Sequence, residues 1–512
     1  MLLTAFTTEA QVSVTTYHYD NNRTGWNSHE TVLTPAKVGG TTFGLKQTVQ
    51  LDGQVDAQPL VVPNINITAG GSQGKHDVVY VVTSTNTVYA IDVHTGAVLL
   101  KPSFGAAVAQ PLGCSNNGKY VGITSTPVID PGTQTLYVMV YNQETNGTAY
   151  FLHALDLGSL ADKLPPRLVT AAHTLTDGTS DLFNASVQRQ RPGLLLSNGN
   201  IYAGFGSFCD FAANESRGWL LGWNAKTLAP LSANQVFDTQ SSSPHSFFLS
   251  AIWMSGYAPA ADDAGNILFV TGNSDYSGAT YDGVTNMQES VVKVTSTLTS
   301  VVDLFTPSDQ AALDERDTDF GSGGLLVLPD QPGSVPHLAV AAGKDGNMYL
   351  MNEDNLGGYS TTSNNVLGTY PIGHCWCGQS YFVGPDGRPR VVSSGGNQVG
   401  IWTLSTSPKP GLKEISLSPT ISGGQNPGFF TSISSNGTAS SVVWALSHPT
   451  SRGHQEIYLY AFNPQKSMAQ IFKGTAGSWA NLGANSNLVP VVANGQVFVA
   501  SYRQLQIFGL KP

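Results

Sequence analysis

HDVVYVVTSTNTVYAIDVHTGA, residues His76–Ala97, is the stretch on which the fold turns. Two short runs rich in Val and Tyr, Val78–Val82 and Thr87–Val93, flank a polar Ser84-Thr85-Asn86 turn, and Asp92 with Thr95-Gly96 closes the second run. Period-two alternation bounded by turn residues predicts an antiparallel hairpin. One hairpin cannot bury both of its faces, so the pattern has to recur.

It recurs along the whole chain. An apolar strand, often carrying Pro, precedes each copy: Gln58–Val62, Thr126–Asp130, Arg191–Leu195, Tyr257–Ala260, Gly323–Val327, Ser380–Val383, Phe430–Ile433 and Leu488–Val492. Hairpin strands follow, among them Thr135–Val138, Asn200–Ala203, Asn266–Phe269 and Asn347–Leu350. Eight units spaced by about 50 to 70 residues predict four-stranded propeller blades. The expected fold is all-β: one eight-bladed β-propeller of antiparallel four-stranded blades over residues 16–512. The strand expected at Thr42–Leu51 would complete the last blade, which ends near Gln504–Phe508, so that the ring is closed by the N-terminal strand and no sheet edge stays open.

The 512-residue composition agrees. Gly at 55, Pro at 28 and only 11% charged residues suit a turn-rich β-protein with an ample core. No long segment holds a 3.6-residue period, which argues against a helical bundle. A formal net charge of -10 and the lack of any basic run argue against nucleic acid as a partner. No apolar stretch is long enough to span a membrane.

Residues 1–15 read as the remnant of a secretion signal or as a disordered terminus. Six N-x-S/T sequons, at Asn22, Asn66, Asn146, Asn184, Asn214 and Asn436, strengthen the secretory reading and make N-linked glycans an expectation. The four cysteines, Cys114, Cys209, Cys375 and Cys377, allow one or two disulfides or buried thiols. Cys375-Trp376-Cys377 has no second close pair at zinc-site spacing. Long insertions at 106–122, 177–191, 240–251, 274–288 and 308–321 can build one rim around a central funnel, the usual place for a ligand.

Between residues 53 and 380 the order of several motifs resembles the quinoprotein alcohol dehydrogenase-like propellers, whose archetypes hold pyrroloquinoline quinone and calcium on the axis. The resemblance implies that Asn273, in Phe269-Val270-Thr271-Gly272-Asn273, is a calcium ligand, and that Trp253 stacks beneath a quinone. It implies a catalytic base at Asp319, with Asp317 beside it. It also implies a cofactor-contacting cation at Lys344, a G-x-N-W-like segment at Gly373-His374-Cys375-Trp376, and an acidic contact at Asp56. The chain departs from that pattern in several places. The calcium-binding Glu is replaced by the shorter Asp210, and calcium wants six to eight oxygens. Arg189 stands where a quinone-contacting Thr is expected, Cys375 where an Asn is expected, and Cys114 is solitary where the family has adjacent cysteines.

Three function classes follow. The departures favour a cofactor-independent enzyme that reuses the funnel. Its overall character is similar to secreted fungal propellers that include hetero-Diels–Alderases of tropolone–sesquiterpene pathways. In this reading Asp319, Lys344 and Arg189 are catalytic, assisting loss of water and stabilising charge on a diene. Trp253, Trp376, His374, Asp56 and Asp317 would then bind a small hydrophobic substrate. The alternative is a quinone- and calcium-dependent alcohol dehydrogenase, with Asn273 and Asp210 on the metal. A non-catalytic binding propeller is the third class.

Overall fold

The computed structural model describes residues 11–241, 247–274, 281–421, 423–449, 455–480 and 483–512. Each inner strand expected from the sequence opens a sheet: Leu60–Ile67, Val128–Asp130, Leu195–Ser197, Ala260–Ala261, Leu325–Val327, Ser380–Val383, Thr431–Asn436 and Val491–Ala493. We number the eight blades in this order. The deciding stretch forms the hairpin of blade 1, with Val78 opposite Asp92 and Val82 opposite Val88. Its turn is made possible by Asn86, whose φ of 62° suits a residue that tolerates the left-handed region.

Blades 1, 2, 5 and 6 have four strands. Blades 3, 4 and 7 carry an additional strand, and blade 8 has three. In blade 8, Phe43–Gln54 runs antiparallel to Gln496–Leu510, from Phe43 opposite Leu510 to Gln50 opposite Gln504. The N-terminal strand therefore closes the ring, as the sequence predicts. The rim insertions hold a two-stranded ribbon, Ala172–Thr174 with Ser180–Leu182, and a short helix, Gln310–Glu315. Parts of the expected 240–251 and 274–288 insertions lie outside the described residues, as do residues 1–10 of the expected leader.

The alternating strands place one apolar face against each neighbouring blade. Blades 8 and 1, for example, share Val49, Val79, Val81, Tyr89, Val491 and Phe498, all buried. Each such side chain contributes about 1.5–3 kcal/mol of burial.

Thr16–Gly40, an irregular polar lead-in by its sequence, is largely irregular, and its first part has a definite place in the ring. Residues 14–27 fill the axis and bond to the innermost strand of every blade. In blade 1, Val14 and Val61 exchange hydrogen bonds of 2.7 and 3.0 Å. In blade 2, Ile129 N donates to Thr15 O at 2.8 Å. Asn21 Nδ2 donates to Leu196 O of blade 3 at 2.9 Å. The amides of Ala261, Val327, Tyr381 and Ile433, in blades 4 to 7, donate to the carbonyls of Asn21, Asn22, Thr24 and Gly25 at 2.7–3.0 Å. In blade 8, Tyr19 Oη and Asn27 Nδ2 bond to Val492. An inner strand has an unpaired edge that cannot be left dry, and the plug satisfies all eight edges with one irregular segment.

Arg23 holds the plug together. Fully buried and at φ 68°, it donates five hydrogen bonds, to Thr16 Oγ1, the carbonyls of Tyr17 and Asp20, and twice to Pro259 O, at 2.6–3.0 Å. Burial lowers its pKa to about 10, which keeps it charged at neutral pH. Arg23→Met leaves these acceptors without donors and is expected to cost about 3–5 kcal/mol, each orphaned buried group being worth about 1–3. Urea unfolding of wild type and variant measures the difference, and a loss below about 1 kcal/mol would show that the plug is not the keystone of the ring.

Candidate functional site

Loops from blades 1, 3, 4, 5 and 6 converge with the segments around Asn426 and Asn487 on one axial cavity of about 640 Å³. Nine of the residues singled out from sequence line it: Asp56, Arg189, Asp210, Trp253, Asn273, Asp317, Asp319, Lys344 and Trp376. The tenth, His374, does not. It is exposed and donates its Nδ1 proton to the backbone carbonyl of Lys344, so it supports the Lys344 turn from behind.

Blade 5 supplies the central pair. Lys344 occupies the hairpin turn between Leu338–Ala342 and Asn347–Asn352, and its amide donates to Asp319 O at 3.1 Å. Gly343 permits this closeness, because a Cβ there would lie 2.5 Å from the Phe320 backbone. The Lys344 ammonium donates to Asp317 O and Oδ1, both at 3.1 Å, and to Asp319 Oδ2 at 3.0 Å. It also lies 5.6 Å from the Trp253 ring and 5.4 Å from the Trp376 ring, within cation–π range of both. Burial pulls its pKa down, but Asp319 and Asp317 outweigh burial and the net shift is upward.

Asp319 is buried, and its second oxygen, Oδ1, has no hydrogen-bond partner among the described residues. Burial pushes its carboxyl up, Lys344 pulls it back, and Asp317 and Asp210 push it up again, leaving a pKa of about 6. Behind it stands a residue that the sequence reading missed. Glu289 is fully buried and accepts the Phe320 amide at 2.5 Å, while its other oxygen is unpartnered. Burial, then Asp319 and Asp314, drive its pKa well upward. The only sequence signal was an acid two residues ahead of the strand Val291–Val294.

Blade 3 supplies Arg189, Arg191, Ser207, Cys209 and Asp210. Asp210, at φ 56°, accepts from Ser207 Oγ, and its pKa is raised mainly by burial. Arg191, not foreseen as a site residue, is buried beside Gly256, where a Cβ would meet its Nη1 at 2.1 Å; the same nitrogen donates to Thr124 O at 3.0 Å. The cysteines form two disulfides, within the one or two that their number allows. Cys114, which has no adjacent cysteine, is bonded to Cys209 across 95 residues, tying the 106–122 insertion to the cavity wall. Cys375 and Cys377 are bonded to each other and bracket Trp376.

No protein-family model and no curated protein matches the sequence. Solved structures do match the fold. The quinohemoprotein alcohol dehydrogenase of Comamonas testosteroni is similar at a TM-score of 0.60 with 13% identity, over 98% of this chain and 81% of that one. A quinohemoprotein alcohol dehydrogenase of Pseudomonas putida HK5 gives 0.61 with 14% identity, over 97% and 80%. A europium-containing methanol dehydrogenase gives 0.63 with 10% identity, over 97% and 98%. At these identities the shared property is the eight-bladed propeller.

That fold brings a quinone and its metal into question, and the donor set does not fit them. Among the described residues no group of three or more His, Cys, Asp or Glu side chains is placed to hold a metal ion. Asp210 and Asn273 supply too few oxygens for calcium, and the Lys344 ammonium already supplies the positive charge beside Asp319. No redox step is derived for this site.

If Lys344 is what holds the Asp319 pKa down near 6, Lys344→Met moves it higher. A pH titration of Trp253 and Trp376 fluorescence, with Asp319→Asn as the control that lacks the transition, measures the midpoint. An unchanged midpoint would show that burial alone sets it.

Proposed function

We propose that this propeller is a small-molecule enzyme whose axial cavity performs proton transfer, with Asp319 as the general base and acid. The observation that carries this reading is the Asp319 carboxyl. One oxygen is fixed on Lys344, the other is buried and free, and its pKa of about 6 lies close to neutral, where a group can both take and return a proton. The reaction class we favour is loss of water from a hydroxyl-bearing natural-product precursor, followed by ring closure of the hetero-Diels–Alder type.

In this mechanism Asp319 Oδ1 takes the acidic proton of the substrate and returns it to the departing hydroxyl. The C–O bond breaks, water leaves, and no oxidant is consumed. Lys344 stabilises the negative charge that develops, and Arg189 adds positive charge from the blade-3 wall. Trp253 and Trp376 offer flat surfaces on which the diene and its partner can be held in the reactive orientation, so that the second step gains from positioning. His374 acts only through the Lys344 turn. The charged lining narrows the expected hydrophobic substrate to one that also carries polar groups.

We place the protein in the secretory pathway on its sequons, five of which expose their Asn: Asn66, Asn146, Asn184, Asn214 and Asn436; Asn22 is half-buried. A mass shift on endoglycosidase treatment of protein from a eukaryotic secretory host is expected, and no shift would refute the glycan assignment. No helix among the described residues is long and apolar enough to cross a membrane.

The catalytic assignment has a pH signature. The Asp319 pKa is raised from 3.8 to about 6, so the basic carboxylate predominates only above about 6. The expected kcat/KM falls about tenfold per pH unit below that point and levels off above it. Asp319→Asn is expected to lose about 100-fold or more in turnover and to abolish this limb. Full activity in that variant would end the proposal. So would dye reduction with alcohols that appears only when pyrroloquinoline quinone and calcium are added, because it would make the protein an oxidoreductase.

A further inference from the structure

We infer that the ligand of the axial cavity is an organic monocarboxylate, received by the Arg189 guanidinium. The inference rests on the reading of the cavity as a small-molecule site and adds the substrate class.

Arg189 sits in the blade-3 edge strand Gln188–Gln190, opposite Gly206, and lines the cavity. Among the described residues its guanidinium makes no hydrogen bond and no ion pair, and its Nε is buried without an acceptor. Arg189 is half-buried at the cavity, so it is its Nε that is closed off from water, and a buried donor without a partner is costly. Here burial, then Arg191, lower its pKa, but only to about 10, so the charge persists at neutral pH.

The protein's own acids leave that place open. Asp56, the carboxylate whose field reaches both arginines, lies beyond ion-pair distance of Arg189 and accepts from Gln54 Nε2 on both oxygens at 3.0 Å. Arg191 cannot turn outward to share an acid, since it is buried on Gly256 and bonded to Thr124 O. The blade-3 wall thus presents two positive charges and one unused planar fork. A fork of this kind matches the two oxygens of a carboxylate.

Two facts set the size and charge of the anion. Four carboxylates and three cations line the cavity, so every added negative charge is opposed by the lining as a whole, and an anion with a single charge is opposed least. The other unpartnered polar atoms of the lining residues, Asp319 Oδ1 and Asn487 Oδ1, are acceptors and call for donors such as hydroxyls. The class that satisfies both is a hydroxy acid with a flat unsaturated body that can lie against Trp253 and Trp376.

Isothermal titration of the full chain at pH 7 tests this with sodium benzoate and sodium mandelate, their uncharged primary amides, and sodium sulfate as an inorganic competitor. Wild type is expected to bind the carboxylates at least about tenfold more tightly than the amides. Arg189→Gln is expected to erase that preference, Arg189→Lys to keep part of it, and Asp319→Asn to keep it. Equal affinity for acid and amide, no binding of either carboxylate, an unchanged preference in Arg189→Gln, or displacement by an equal concentration of sulfate would each overturn the inference. The readout is independent of turnover. If the Arg189 preference is missing while Asp319→Asn still abolishes catalysis, only this inference falls; if the preference is present and Asp319→Asn is fully active, only the catalytic proposal falls.

Discussion

Eight sheets arranged around an axis create eight inner edges, and the fold depends on how those edges are paired. In this chain one segment, residues 14–27, supplies the partners for all of them. Such a segment cannot be one regular element, because its donors and acceptors must point outward in eight directions; only its end, Trp26–Asn27, pairs as a short strand with blade 7. It is therefore built from left-handed residues, His18, Tyr19 and Arg23 at φ 53°, 72° and 68°, and tied by side-chain bonds instead of a ladder. Arg23 replaces the missing regular structure with five donors on one group. The plug and the closing strand Phe43–Gln54 both come from the N-terminal part of the chain, so the axis and the last blade are completed by neighbouring stretches of sequence.

The plug also gives the cavity its character. It occupies the axis without lining the cavity, so the site is built by blade loops alone. Those loops gather charge that a mainly apolar pocket would not tolerate. Asp317 and Asp319 are held together by the Lys344 ammonium, while burial and its acidic neighbours push the Glu289 carboxyl well upward.

The blades were legible because a half-buried strand writes its burial into alternate residues, and the Val78–Val82 and Thr87–Val93 runs do so plainly. All eight inner strands were found by that rule. The plug was not legible, because Thr16–Gly40 has no period and its partners are scattered from Val61 to Val492. The cavity residues were found through a resemblance, which fixes loop positions on a shared ring better than it fixes chemistry: nine of ten converge, and His374 misses by facing away from the cavity. The bond between Cys114 and Cys209 could not be read from a separation of 95 residues. Glu289 and Arg191 were missed because an isolated charge beside an apolar strand looks the same whether it is buried or solvated.

The acids beside Lys344 find a counter-charge within the chain itself. A divalent ion between Asp210, Asn273 and Asp319 would sit beside the Lys344 ammonium and meet fewer oxygens than its coordination shell requires. The ammonium, by contrast, finds three acceptors at 3.0–3.1 Å and two aromatic faces. Among the described residues the lining leaves three polar atoms unmatched, a donor of the Arg189 guanidinium on blade 3, an acceptor of Asp319 on blade 5 and the Asn487 side-chain oxygen. Folded proteins rarely leave buried polar groups unpaired. Two of opposite sense, facing one cavity from different blades, are most simply explained by a ligand that carries both complements.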